Sequence, residues 1–317
     1  MTPTPVTGTP RLALIAAGVS VVLWASAYVG IRDVADTFSP GAIALGRLFV
    51  GSLALGLPLL TRGWVHVRRR DFGFIVAAGL LWFGAYNIAL NEAERHVDAG
   101  TASMLVNTGP IFLGIFAGVF LREGLPARLL VGLAVAFAGS VVVGFALPSD
   151  AAGSNNSIVG IALCIASAIV YAAGVTLEKP VLKTVPALQL TWMACTVGFV
   201  ACLPFTPELL AQASTAPLGK LGWLAYLGIF PTAIGFTTWA YALNRTNTGR
   251  LGVTTYLVPP VVILMAWLLL GEVPPVLAIV GGAICIAGVV VVRTPSLGRL
   301  RGRGRGSAAP APEAAES

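Results

Sequence analysis

Charge is scarce in this 317-residue chain: only 10% of residues are Asp, Glu, Lys or Arg, against about 25% in soluble globular domains. That deficit argues against a water-soluble fold. Histidine is nearly absent, with His66 and His96 alone, and both fall in expected loops. No HExxH pair and no G-x-S-x-G elbow occur, which removes the usual metalloprotease and serine-hydrolase sites. Without a P-loop the chain has no phosphate cradle of the kind that primary pumps carry. The pair Asp33 and Asp36 resembles an Asp-rich diphosphate motif, but it is single and falls in a short loop. An enzyme is therefore not expected: there are no catalytic residues, no metal ligands and no cofactor. Cys164, Cys195, Cys202 and Cys285 all lie in apolar stretches without metal-site spacing, and read as small buried residues.

What remains is long apolar segments, with 56% hydrophobic residues, 37 Gly and seven Trp. A helix crossing a bilayer core needs about 20 apolar residues. Dividing the chain at charge and Pro/Gly clusters gives ten spans: Leu12–Ile31, Pro40–Leu60, Phe72–Leu90, Ala99–Leu121, Ala127–Leu147, Ile158–Leu177, Ala187–Phe205, Leu221–Leu243, Gly249–Gly271 and Pro275–Val292. The opening MTPTPVTGTPR lacks the pattern of a cleaved signal, so the first apolar stretch reads as a retained span.

The placement of Lys and Arg tests this division, because cytoplasmic loops carry the positive excess. One side collects Arg11, Arg62, Arg68, Arg69, Arg70, Arg122, Arg128, Lys179, Lys183, Arg245, Arg250, Arg293, Arg299, Arg301, Arg303 and Arg305. The other holds only Arg32, Arg95 and Lys220, and Arg47 falls inside a helix. Both termini are thus expected in the cytoplasm, with the protein multi-pass in the cytoplasmic (inner) membrane.

The chain also repeats itself. Shifting residues 72–143 by 149 positions lays them without a gap on 221–292, pairing Gly79 with Gly228, Pro110 with Pro259, Glu123 with Glu272 and Gly139 with Gly288. The first helices of the halves correspond as well, Trp24 falling opposite Tyr171 and Arg32 opposite Lys179. Five spans per half is an odd number, so the second half must thread the membrane upside down, as in many secondary transporters. The expected fold is all-α and integral to the membrane: ten transmembrane helices as two inverted repeats around a central cavity. Residues 1–10 form a cytoplasmic segment, 11–147 the first repeat, 148–157 a connection, 158–293 the second repeat and 294–317 a disordered basic tail. The Arg-Gly run of that tail suits an anionic lipid surface better than nucleic acid, which is not an expected partner.

With Trp24-Ala-Ser-Ala-Tyr28, Pro40 followed by Arg47, and Gly100-Thr-Ala-Ser-Met-Leu leading to Pro110 and Leu121-Arg-Glu123, the chain resembles the drug/metabolite transporter superfamily, in particular its EamA-type ten-helix members. The second half carries the pattern as Tyr241-Ala-Leu, Pro259 and Leu270-Gly-Glu272. The resemblance implies a basket of helices around a cavity, cytoplasmic termini, and export of amino acids or similar metabolites. A facilitator or importer of another solute, such as a sugar derivative or nucleobase, is the alternative.

Several residues could bind the small-molecule substrate. Arg47 is the one charge expected at membrane depth, which fits a substrate carboxylate, an outer gate, or a structural arginine bonded to carbonyls. Pro110 and Pro259 break their spans and release carbonyls, tolerated only where they line a cavity or are buried in protein. Beside them stand Asn107 and Thr108 in one half, and Thr255 and Tyr256 in the other. Trp24, Tyr28, Trp82, Tyr86, Tyr171 and Trp239, with Asn87, complete the expected wall, although any of them could be core packing or an interfacial anchor. Glu123 and Glu272 read as carboxylates near helix N-termini or as proton sites, and no deeper acidic residue is expected. Gly132, Gly139, Gly281 and Gly288 recur at seven-residue spacing, a face for close helix contact or for a homodimer.

Overall fold

The structure is a computed structural model that describes residues 10–93, 96, 105–146, 158–270 and 275–293. Among the described residues it is helical throughout, with no strand. The helices are α1 (Pro10–Val34), α2 (Pro40–Leu59), α3 (Arg69–Ala93), α4 (Gly109–Phe120), α5 (Ala127–Ala146) and α6 (Ile158–Val181). They continue as α7 (Ala187–Ala201), α8 (Thr206–Thr215), α9 (Leu218–Arg245), α10 (Val258–Leu270) and α11 (Val276–Arg293).

Four of these are long and apolar enough to cross a membrane: α2, α3, α6 and α9. The pair Ala187–Ala201 and Leu203–Thr215, bent by 52°, qualifies together as a broken span or re-entrant segment. Shorter apolar stretches lie in α1, α4, α5 and α11. Helix α8 is an addition to the expected scheme, which left its residues in a loop. It lies across the start of α2, where the Ser39 amide donates to Gln212 at 2.9 Å and the Ser39 hydroxyl to Glu208 at 2.5 Å.

Two helices are interrupted at repeat-related places. Helix α3 contains a π-helical turn over Gly79–Ala85, and α9 contains one over Gly228–Ile234, which coincide under the 149-residue shift. A π turn carries one surplus residue and leaves carbonyls without their usual partner. Side chains take them up. Asn87 donates to the Phe83 carbonyl at 2.8 Å and, more weakly, to that of Trp82 at 3.4 Å. Thr232 donates to Leu227 at 2.8 Å, and Trp24 Nε1 to Pro231 at 3.3 Å.

Each π turn begins at a glycine gripped by the opposite half. A Cβ on Gly79 would fall 2.6 Å from the Ala194 carbonyl and 2.7 Å from Val197 Cβ; one on Gly228 would fall 2.5 Å from Val50 Cβ and 2.8 Å from the Arg47 carbonyl. Ala194 and Val197 are the repeat partners of Arg47 and Val50, at the 147-residue offset of the first helices. Only glycine allows this approach. The Gly132/Gly139 face is used within the chain: a Cβ on Gly139 would sit 2.5 Å from the Cys285 amide and 2.7 Å from the Gly281 carbonyl. Helices α5 and α11 close on each other along that seam.

The two ends of the bundle are tied separately. At one end Val65 and Gln189 exchange hydrogen bonds of 3.0 and 2.7 Å, Thr184 donates to Asp71 at 3.0 Å, and Glu123 accepts from Thr248. At the other, Lys220 pairs with Asp33 and Asp36, and Asn91 donates to the Pro40 carbonyl at 3.0 Å. Helix α2, of 20 residues, separates these ends by about 30 Å. Helix α3 starts at the first end, whereas α9, its counterpart by sequence repeat, starts at the second.

Candidate functional site

Between the halves lies an aromatic cluster. Trp24 of α1 meets Trp239 at 4.9 Å between ring centroids and Phe236 at 5.4 Å. Trp82, carried on the π turn of α3, meets Phe236 at 4.8 Å, Tyr171 of α6 at 5.6 Å and Trp24 at 6.2 Å. Tyr86 stands 6.2 Å from Tyr171. Such pairs add about 0.5–1.5 kcal/mol each beyond burial. Trp24 touches residue 231 and Tyr171 touches residue 82, so the contacts repeat across the two halves as the sequence does.

Several polar groups in this region are buried without a partner among the described residues: the hydroxyls of Ser167, Tyr171 and Tyr256 and the indole N–H of Trp239. The Tyr171 hydroxyl lies beside Thr255, but no hydrogen bond of normal geometry joins them. Each orphaned group of this kind costs about 1–3 kcal/mol, a penalty that a polar ligand would relieve.

Arg47 adjoins this cluster. The residue is 6% exposed, and its Nε donates to the Thr232 hydroxyl at 3.1 Å. Thr232 follows Pro231, whose carbonyl accepts from Trp24. Tyr86 and Cys195 are the titratable groups close enough to act on the guanidinium. No carboxylate among the described residues pairs with it.

Other expected site residues are bonded locally. Asn107 donates to Ser140 on α5 at 2.8 Å, Thr108 to the Leu105 carbonyl at 2.6 Å and Thr255 to that of Gly252 at 2.8 Å. Asn87 serves the π turn as described. Pro110 and Pro259 begin α4 and α10 instead of breaking them mid-course. Proline is tolerated in a first turn because its missing N–H would be unpaired there. The interruption precedes them, and in the second half it is a 3₁₀ turn, Val253–Leu257, that carries Thr255 and Tyr256. The Glu123 carboxylate accepts from the Thr248 amide at 2.6 Å and its hydroxyl at 2.8 Å, at the start of the turn Thr248–Gly252 and not of the helix after Pro126. The side chain of Tyr28, and Glu272 altogether, lie outside the described residues.

Sequence reasoning missed Glu178. The expected span stopped at Leu177, but α6 runs on to Val181 and buries Glu178 to 2% exposure. Its neighbour Lys179 turns the other way and donates to the carbonyls of Leu243 and Thr246. The local signal pointed the other way: Lys179 and Pro180 read as the end of a span, yet Pro180 is carried in the last turn of α6. The overlooked residues Phe83 and Phe236, 4.5 Å apart, sit one residue after Trp82 and one turn before Trp239.

Residues 11–145 and again 158–294 match the EamA-like transporter family. The chain belongs to that family. A relative named "Probable terminal-alkyne amino-acid exporter" from Streptantibioticus cattleyicolor is 37% identical over 89% of this chain and 93% of its own length. The transporter YdfC of Bacillus subtilis, called uncharacterized, is 29% identical over 87% of this chain and 89% of its own. An uncharacterized transporter of Archaeoglobus fulgidus is 28% identical over 88% and 97%. One solved crystal structure superposes with a TM-score of 0.73 over 92% of this chain and 98% of its own, at 17% identity, a likeness of fold. The EamA membership makes this a multi-pass membrane transporter of a small molecule, a class distinct from enzymes.

Proposed function

We propose that this EamA-family protein exports amino acids or related small polar metabolites across the cytoplasmic membrane, by alternating access at a midplane site between two inverted five-helix repeats. The observation that carries the reading is Arg47: a buried guanidinium with no acidic partner among the described residues, bonded across the halves to Thr232 and adjoining the aromatic cluster. A free carboxylate completes such a cation, through charge-assisted and often bidentate hydrogen bonds. The unpartnered hydroxyls of Tyr171 and Tyr256 take the remaining polar atoms, while Trp24, Trp82 and Trp239 supply faces for an apolar side chain or an ammonium group. Opposite directions of α3 and α9 support the inverted plan, and the amino-acid exporter among the relatives supports substrate class and direction.

Purified protein in proteoliposomes should exchange a labelled amino acid against an internal pool, with a panel that includes a terminal-alkyne side chain. Arg47→Gln should abolish exchange, and Tyr256→Phe should raise KM. If Arg47→Gln and Tyr256→Ala both leave flux and affinity unchanged for every transported compound, the site is elsewhere.

A further inference from the structure

The carboxyl of Glu178 has no role in the site just described, yet it is buried inside the protein at the end of α6 where both halves are tied together. No hydrogen bond or ion pair reaches it from the described residues. The charged groups on every element packed against α6 are turned to other tasks. From α3, Arg70 covers the Phe74 ring at 5.5 Å, Asp71 accepts from Thr184, and Glu92 meets His96 at 3.1 Å; Arg69 is exposed. In the segment after α4, Glu123 holds Thr248 and Arg122 is exposed. From α9, Lys220 pairs with Asp33 and Asp36 at the far end, while Arg245 lies 3.5 Å over the Tyr241 ring and donates through Nη1 to the Tyr241 carbonyl at 3.2 Å, its Nε buried without a partner among the described residues. On α6 itself Lys179 caps the end of α9, and Lys183 just beyond is exposed.

Buried carboxyl groups are ordinarily paired or hydrogen-bonded. One left alone at a tie between moving halves has surroundings that change when that tie opens and water enters. Its affinity for a proton changes with them. Ionisable residues carried on a membrane-spanning helix are proton-relay candidates by default, and α6 is long and apolar enough to be such a helix.

We propose that Glu178 is a proton-exchange site that couples this transporter to a proton gradient: one proton is bound at its carboxylate in one access state and released in the other, as substrate moves the opposite way. No bond other than O–H forms or breaks. The coupling rests on the transport reading above. The site itself does not.

The test uses the full chain in proteoliposomes with an enclosed pH dye, comparing the natural protein with Glu178→Gln and Glu178→Asp. Substrate should drive proton movement in the natural protein and in Glu178→Asp. Glu178→Gln should lose that movement while still exchanging labelled for unlabelled substrate. Proton movement retained in Glu178→Gln, or absent from a natural protein that exchanges substrate, overturns the proposal. If no compound is exchanged at all, the transport reading is what fails. The site is then judged by infrared spectroscopy across a pH titration: a carboxyl C=O band that titrates and disappears in Glu178→Gln supports it, and no such band overturns it.

Discussion

Substituting Gly139 by alanine probes the close seam between α5 and α11. The added methyl carbon would lie 2.5 Å from the Cys285 amide nitrogen, 2.7 Å from the Gly281 carbonyl oxygen and 2.9 Å from Cys285 Sγ. Ordinary contact at such atoms is about 3.5 Å, so the helices must part by about 1 Å. Two of the three obstacles are backbone, which no rotamer change moves. A gap of that size forfeits about a quarter to a half of the dispersion attraction across the seam, and overpacking strain of this kind costs about 1–3 kcal/mol. The control is Gly222→Ala. Nothing lies within 4 Å of its new methyl, and removing a helix glycine contributes about 0.5–1 kcal/mol. The two variants should therefore shift thermal unfolding in opposite directions. Cys285, buried and donating to the Ala136 carbonyl at 3.4 Å, should react with a maleimide at lower temperature in Gly139→Ala. A Gly139→Ala protein as stable as the natural one, with Cys285 no more reactive, would refute the seam.

Orientation is tested with single cysteines at His66 and Lys220, on a background free of the natural four: an impermeant maleimide should label them from opposite faces of the membrane, and labelling from one compartment would end the inverted arrangement. At the Lys220 end, the Thr37 hydroxyl first and then the Lys220 ammonium hold Asp36 below the usual aspartate value. Its carboxylate thus contributes fully at and above the ordinary range and loses that contribution as the pH falls through the lower folded value. Protection against amide exchange in residues 33–39, corrected for the intrinsic pH dependence of the exchange rate, should fall in acid, modestly because the pair is exposed and screened. Lys220→Gln should weaken that acid response, and an identical profile in both proteins would contradict the assignment.

Much of this was legible because bilayers impose simple rules on composition. Apolar length marked α2, α6 and α9 to within a few residues, and the 149-residue shift paired Gly79 with Gly228 without signalling the π turns that begin there. Nothing in the types of Gly79 or Gly228 signals a surplus residue, since a glycine there serves an ordinary close contact equally well. The aromatic cluster was visible as a set of residue types, but which side chains were spoken for was not. Asn87, Asn107 and Thr108 looked like substrate ligands, yet each is bonded within the protein. Conversely, Glu178 looked like a loop residue because it precedes Lys179 and Pro180, and only the continued helix turns it inward. Helix α8 escaped notice because Glu208 and Gln212 made its stretch too polar to be a span.

Reciprocity is what the paired glycine grips imply for motion. Gly79 leans on the second helix of one repeat as Gly228 leans on that of the other, so neither repeat can reshape its own interrupted helix without disturbing its twin's anchor. Under the alternating access proposed above, the two states would be one asymmetric pair of shapes with ownership exchanged: whichever shape the first repeat wore in one state, the second would wear in the other.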